Sequence, residues 1–221
     1  MCGIFGAPKT SEFETLYDIN KERGTFAFGS VGITVNEGYH ICKREGVINL
    51  NENEYPHLNL KYIIGHTQAP TSCERDFTIN TSHPFEAGDW MVAHNGVLSN
   101  FNELKSKYVP WHTNNVDTSI IPALLNEFKN DDNTAKSISL ISRVLNLLEG
   151  TFAVWILNMD SAKLFLARSG STLFLNKDKT CFSSIQCKGW EAVKENIIYE
   201  NTPEGFTEVG VFEGKHPFFM L

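Results

Sequence analysis

Strand-like apolar runs lie on both sides of a central block of helical segments, and this order most constrains the fold. The runs that follow the helices succeed one another through short turns, which is typical of antiparallel hairpins and not of a parallel nucleotide-binding sheet. A chain of 221 residues can bury a sizeable core. Strands are predicted at 2–7, 32–35, 62–66, 90–93, 151–157, 163–166, 171–175, 180–184 and 207–212.

The helical segments have recognisable ends. In the second, Asn100 and Glu103 have the spacing of a capping box. Pro122 is tolerated in a helix only within the first turn, so the third helix should begin close to it. The fourth has apolar residues at helical spacing and is expected to stop at Gly150. Helices are predicted at 11–22, from Asn100 onward, at 117–130 and at 134–149.

Charge and cysteine usage exclude several classes of protein. The net charge is −7 and Lys and Arg do not cluster, which argues against binding to nucleic acid or to anionic membranes. The chain shows neither a secretory signal nor an apolar run long enough for a membrane span. Five cysteines without a C-x-x-C pair fit neither a disulfide framework nor a zinc site, and nucleotide-binding glycine motifs are absent. We therefore predict a cytoplasmic protein without metal or cofactor.

The first residues, MCGIFG, place Cys2 directly after the initiator methionine. Methionine before a small residue is commonly removed, and Cys2 would then carry both its thiol and a free α-amine. An α-amine has a pKa of about 7.7–8.0, close to the pH at which a general base works best. An N-terminal nucleophile can use that amine to accept its own proton. The alternative is a chance cysteine beside the start codon.

Two later segments carry polar residues suited to acyl chemistry. Asn95-Gly96 in AHNGVLSN would ordinarily mark a hairpin turn, but the segment after it is predicted to be helical. On a turn between strand and helix, the Asn95 amide and the Gly96 N–H could point two donors at one oxygen, as in an oxyanion hole. Asp117 in NVDTS is either a helix cap or a ligand for an ammonium group.

Together and in this order, these segments resemble the class II glutamine amidotransferase domain, whose members are N-terminal-nucleophile (Ntn) hydrolases that begin C-G-I-x-G. The resemblance spans nearly the whole chain. It implies one domain over 2–221 and a four-layer αββα sandwich, with two stacked, mainly antiparallel sheets and helices outside. The further matches are Arg23-Gly24 to R-G, 65–71 to G-H-T-R-x-x-T, His83-Pro84 to H-P, 94–96 to H-N-G, Asp117-Thr118 to D-[TS], and 150–158, 164–175 and 182–184 to later strands.

The resemblance implies a mechanism. Cys2 would attack the side-chain amide of L-glutamine and release ammonia, and water would then cleave the γ-glutamyl thioester. Asn95 and Gly96 would hold the oxyanion, and Asp117 would hold the α-ammonium group of the substrate.

The resemblance also implies supporting roles around the nucleophile. Arg23 and Gly24 would orient the Cys2 amine or the surrounding loop. Thr71 and His83 would line the substrate pocket. His94 would support the Asn-Gly turn and would not act as a base.

Gln68 departs from the family pattern, which has Arg at this position to pair with the substrate α-carboxylate. A charge-assisted bidentate pair is about twice as strong as a neutral hydrogen bond, and Gln68 offers only neutral ones. Three hypotheses stay open: glutamine binds more weakly, another cation such as Arg75 substitutes, or the donor lacks a free carboxylate.

The expected function is hydrolysis of glutamine, with ammonia supplied to a separate synthetase subunit, because 221 residues match the amidotransferase domain alone. The alternatives are a free-standing amidohydrolase, another N-terminal-cysteine amidase acting on a different amide or γ-glutamyl compound, and a non-catalytic regulatory subunit of the same fold.

Overall fold

The computed structural model describes residues 1–36, 38–50, 59–69, 76–131 and 137–215. The chain forms two compact units, each built from two segments: Met1–Pro84 with Leu173–Ala192, and Phe85–Thr172 with Val193–Leu221. In chain order the elements are β1 (Gly3–Ala7), α1 (Thr10–Asn20), a 3-10 helix (Lys21–Arg23), β2 (Ala27–Thr34), β3 (Tyr39–Glu45), β4 (Leu60–Gln68), β5 (Phe85–Ala87), β6 (Trp90–Leu98), α2 (Phe101–Tyr108), a 3-10 helix (Asp117–Ser119), α3 (Ile120–Asp131), α4 (Ser137–Leu145), β7 (Gly150–Asn158), β8 (Lys163–Ser169), β9 (Phe174–Leu175), β10 (Phe182–Ser183), β11 (Glu191–Ala192), β12 (Ile197–Thr202) and β13 (Gly205–Val211).

The first unit is a sheet with the strand order β11-β9-β10-β1-β4-β2-β3, and helix α1 packs on one face of it. Phe13 and Tyr17 of α1 contact Phe5 and Phe28 of the sheet, with ring centroids 5.1 Å apart for Phe5 and Phe13 and 5.0 Å for Tyr17 and Phe28. Successive strand residues alternate between faces, so Phe5 and Phe28 define the helix-covered face and their neighbours point to the opposite one.

The second unit is a sheet with the order β13-β12-β8-β7-β6-β5, accompanied by α2, α3 and α4. Its core contains large side chains from the sheet and the apolar faces of the helices, including Trp90, Phe152 and Phe165 with Leu124 and Val144. No helix in the described ranges is long and apolar enough to cross a membrane.

The antiparallel character expected from the sequence is confirmed by the pairing of neighbouring strands in both sheets. Pro122 lies in the first turn of α3, also as predicted. Most predicted strands are longer in the structure because polar or glycine residues at their ends still pair in the ladders. Strands β3, β5, β11 and β12 were not predicted.

Two helix ends differ from prediction. The capping box at Asn100 and Glu103 is wrong: Asn100 Nδ2 donates to Leu147 O at 2.8 Å, and its Oδ1 accepts from Glu149 N at 3.1 Å. Helix α4 ends at Leu145, and Gly150 instead begins β7. The amide of Asn100 thus joins the start of α2 to the segment between α4 and β7.

Candidate active site

Cys2 lies immediately before β1 in the first unit. Gly3 pairs with Thr67 of β4, so the Cys2 side chain reaches the end of that strand. There the backbone N–H of Ala69 donates to Cys2 Sγ at 3.4 Å. A hydrogen bond to sulfur favours the charged thiolate, the form that acts as nucleophile. The half-buried thiol is therefore held in a defined place, although it belongs to the second residue of the chain.

Arg23 brings a positive charge to this thiol from the 3-10 helix that follows α1. Its Nη1 donates to Ser184 O at 3.0 Å, and its Nη2 lies 3.7 Å from Met1 Sδ. Burial lowers the pKa of the Arg23 guanidinium and the Cys2 thiolate raises it, with burial the larger effect. Arginine stays protonated under such shifts, so the guanidinium remains a cation next to Cys2. Met1 is 86% exposed and accessible to removal.

Gln68 is buried at the end of β4, and its side-chain amide forms hydrogen bonds with Thr81 and His83. Its Nε2 donates to Thr81 O at 3.1 Å. Its Oε1 accepts from His83 N at 3.2 Å and lies 3.0 Å from His83 Nδ1. Gly24 lies against the same strand end, where an added Cβ would come within 2.4 Å of the Gln68 carbonyl carbon. Thr71 and Arg75 lie outside the described residues.

Asn95 and Gly96 lie inside β6 of the second unit, so the expected turn between strand and helix is wrong. They pair with Ala153 and Phe152 of β7. Gly96 has φ +152°, and a Cβ there would lie 1.9 Å from Thr151 O. The strand can pass β7 at this distance only because residue 96 is glycine. Polar His, Asn and Gly interrupt the apolar pattern, which is why the predicted strand stopped at 93.

His94 is buried in β6, and its ring is hydrogen bonded on both sides. Nδ1 lies 3.0 Å from Thr118 Oγ1 and Nε2 lies 3.4 Å from Thr151 O. Because a carbonyl only accepts, Nε2 carries the hydrogen and Nδ1 accepts from the Thr118 hydroxyl. Burial lowers the pKa of His94, while Asp117 and the Thr151 carbonyl raise it less. A neutral His94 ring with both nitrogens hydrogen bonded is consistent with the expected role of supporting the Asn95-Gly96 segment.

Asp117 begins the 3-10 helix that precedes α3 in the same unit as Asn95. Its Oδ2 accepts from Leu98 N at 3.0 Å, and its Oδ1 accepts from Thr118 N at 2.8 Å. An ionised carboxylate has about four acceptor positions, so two bonds to backbone N–H groups leave capacity for a ligand. The residue is half-exposed. Its carboxylate therefore fixes the end of β6 and can still meet an ammonium group.

Comparison with known proteins shows what the chain is similar to. A family described as "Glutamine amidotransferase domain" matches residues 77–186, a range that includes His83, the H-N-G segment and Asp117. The chain is 27% identical to 7-cyano-7-deazaguanine synthase of Sulfolobus acidocaldarius over 72% of its length and 35% of the relative. It is 31% identical to a glutamine–fructose-6-phosphate aminotransferase of Bradyrhizobium diazoefficiens over 78% of its length and 29% of the relative. These matches support a class II glutamine amidotransferase domain in this chain.

The fold of this amidotransferase domain has solved counterparts. Glutamine phosphoribosylpyrophosphate amidotransferase from B. subtilis matches 94% of this chain and 49% of its own, with a TM-score of 0.73 and 21% identity. This likeness confirms the expected fold class, a four-layer αββα sandwich. The chain spans about a third of the length of the curated relatives it matches.

Sequence reasoning missed two residues that hold site groups of the amidotransferase domain. The Thr118 hydroxyl is the hydrogen-bond partner of His94 Nδ1, and the Ser184 carbonyl accepts from Arg23. Both fell inside segments that carried the resemblance, but only Asp117 in the first segment received a role. The sequence did not indicate that the Thr118 hydroxyl would contact His94 or that the Ser184 carbonyl would contact Arg23.

The depressed pKa of His94 predicts a loss of stability in mild acid. An unfolded histidine has a pKa near 6.5, so below about pH 6.5 the unfolded chain binds a proton that folded His94 does not. The free energy of unfolding should therefore fall as the pH drops from 7.5 to 5.5. In His94→Gln the overall stability should be lower and this decline shallower, as measured by urea unfolding at each pH.

His112 serves as the internal reference for this experiment, because burial also lowers its pKa and it is retained in both proteins. The difference between wild type and variant thus isolates His94. Equal slopes in the two proteins would contradict the assignment.

Proposed function

We propose that this chain hydrolyses the side-chain amide of L-glutamine to glutamate and supplies the ammonia to a separate acceptor enzyme. The observation that carries this proposal is the position of Cys2. Its thiol is fixed by the Ala69 N–H at 3.4 Å and is near the Arg23 cation, in a chain that matches a glutamine amidotransferase domain. A thiol without a chemical role would not need either arrangement at the second residue.

The reaction begins once Met1 has been removed and Cys2 carries the free α-amine. The amine takes the thiol proton, directly or through one water, and Sγ attacks the amide carbon of glutamine. The carbonyl oxygen becomes an oxyanion, which the Asn95 Nδ2 and the Gly96 N–H stabilise. The C–N bond then breaks, the amine returns the proton, and ammonia leaves. Water hydrolyses the γ-glutamyl thioester, which releases glutamate and restores the thiol of Cys2.

The remaining residues bind and orient. The half-exposed Asp117 carboxylate would receive the α-ammonium group of the donor. His83 and Thr71 would line the pocket, Arg23 and Gly24 would orient the Cys2 amine, and neutral His94 would hold β6 in place.

We place the ammonia acceptor on a separate protein in the cytoplasm. Two relatives are a synthase and an aminotransferase, of which this chain covers 35% and 29%. The second of these relatives is an aminotransferase, and both relatives are much longer than the segment that this chain matches. Neither a nucleic acid nor a membrane is needed in this scheme.

The test is the stoichiometry of the reaction. The purified mature chain should release glutamate and ammonia from L-glutamine in equal amounts. L-Asparagine and γ-glutamyl dipeptides serve as competing donors. Absence of glutamate release, or faster cleavage of another amide, would contradict the proposal and favour a different N-terminal-cysteine amidase.

A further inference from the structure

Residues 78–84, called the strap below, lie on the face of the first unit's sheet that α1 does not cover. The strand register defines the row of residues beneath the strap. His66 of β4 pairs with Gly29 of β2, and Gly29 pairs with Lys43 of β3. These residues are out of phase with Phe28, which faces α1, so their side chains point to the opposite face. The strap thus crosses the same face as Gln68, which is in phase with His66.

The strap is seated at Gly29. A Cβ at this glycine would lie 1.9 Å from His83 O, so any side chain there would displace the strap. The ring of His83 stacks on the ring of His66, with centroids 3.8 Å apart and an angle of 20° between the planes. His83 therefore contacts the sheet at two places, with its backbone at Gly29 of β2 and its ring at His66 of β4.

Two side chains clamp the strap from different strands. Lys43 Nζ donates to Ile79 O at 2.8 Å and to Ser82 O at 3.0 Å. Gln68 Nε2 donates to Thr81 O at 3.1 Å, and Gln68 Oε1 accepts from His83 N at 3.2 Å. These four bonds engage four of the strap residues and together restrict its movement across the sheet.

The contacts of Gln68 also fix the tautomer of His83. Thr81 O only accepts, so the amide nitrogen of Gln68 must face it, and the His83 backbone N–H only donates, so the amide oxygen must face that. His83 Nδ1 lies 3.0 Å from the same oxygen and must therefore carry a hydrogen. In the neutral ring the hydrogen-accepting nitrogen is then Nε2.

We propose that Gln68 and Lys43 are positioning residues that hold the strap and keep His83 in the Nδ1–H tautomer, in which Nε2 is the accepting nitrogen of the ring. The inference rests on the proposed function only in placing His83 at the donor pocket. Where the family has an arginine that pairs with substrate, this chain uses the amide of Gln68 to organise its own backbone.

The first test reads the tautomer directly, with nitrogen-15 NMR of the histidine rings in the mature full chain and His83→Asn to assign the signals. Wild type should show hydrogen on Nδ1 of His83. In Gln68→Met, which keeps the size but loses all three hydrogen bonds of the amide, the hydrogen should move to Nε2. The kcat/KM for L-glutamine should fall by about 10²-fold, as misplacement of a site group does. Alkylation of Cys2 by iodoacetamide should keep its rate.

Hydrogen exchange tests whether Lys43 of β3 restrains the strap. Lys43→Met should accelerate amide exchange in 78–84 and lower kcat/KM, whereas Lys61→Met, at an exposed lysine of β4, should change neither. Unchanged exchange in Lys43→Met would overturn the role of Lys43 in holding the strap.

Gln68→Arg restores the family residue but removes the acceptor for His83 N, so it too should lower kcat/KM. Tighter glutamine binding in Gln68→Arg would overturn the positioning role.

The outcomes separate this inference from the proposed function. A wild-type chain that leaves glutamine intact, but shows the tautomer and exchange changes, refutes the function and supports the strap. A fall in kcat/KM in Gln68→Met with the His83 tautomer unchanged would mean that Gln68 acts on the donor itself, which overturns the inference.

Discussion

Cys2→Ala is expected to abolish glutamine hydrolysis and to leave the fold intact. Without the thiol no thioester forms, and loss of a catalytic nucleophile lowers kcat by roughly 10³-fold or more. The structural cost is expected to be small, because the hydrogen bond that Ala69 donates to the half-buried thiol is worth about 1 kcal/mol. Alanine is also small, so removal of Met1 should continue. Steady-state ammonia release and thermal unfolding measure the two effects separately.

Cys187→Ala is the matched control for the nucleophile. Cys187 is half-buried, like Cys2, and burial raises the pKa of its thiol, which disfavours the reactive thiolate. Cys187→Ala should keep full activity. Retention of a large part of the activity by Cys2→Ala would refute the mechanism, whatever the control shows.

Gly96→Ala should give the largest loss of stability among single-methyl additions near the site. The new Cβ would meet Thr151 O at 1.9 Å, and φ +152° is strained for any residue with a side chain. Each effect costs about 1–3 kcal/mol, so the variant should lose roughly 2–6 kcal/mol. At about 2–4 °C per kcal/mol for a chain of this size, it should melt roughly 4–24 °C lower. Because the shift moves the Gly96 N–H and the adjacent Asn95, kcat should also fall by about 10²-fold or more.

Gly189→Ala separates clash from backbone strain. Gly189 also has a positive φ, +79°, but an added Cβ would meet nothing within 4 Å. It should cost only about 1 kcal/mol and leave kcat unchanged. Equal melting temperatures for Gly96→Ala and Gly189→Ala would show that the contact with Thr151 is unimportant.

The sequence predicted the antiparallel architecture because the apolar runs and their turns are local signals. It did not predict the full length of β6. The strand continues through Asn95 and Gly96, where pairing with β7 overrides the weak strand propensity of these residues. The capping role of Asn100 failed for a similar reason, since its amide is used by Leu147 and Glu149, which are far along the chain.

Sequence motifs singled out Cys2 and Asp117 as candidate site residues, and their roles stay predictions. The surroundings of Gln68 were not predictable, because its partners lie 13 and 15 residues away and depend on how the strap returns across the sheet. No sequence pattern indicated a role for Lys43, because its partners Ile79 and Ser82 lie 36 and 39 residues further along the chain. Residues that act through such contacts emerge only from the folded chain.

The most direct test of the central claim is the intact mass of the purified chain, before and after incubation with 6-diazo-5-oxo-norleucine, a reactive glutamine analogue. The account predicts a mass without Met1 and one covalent adduct, located on Cys2 by peptide mapping and absent from Cys2→Ala. A chain that retains Met1 and still hydrolyses glutamine, or that loses Met1 and takes no adduct on Cys2, would contradict it.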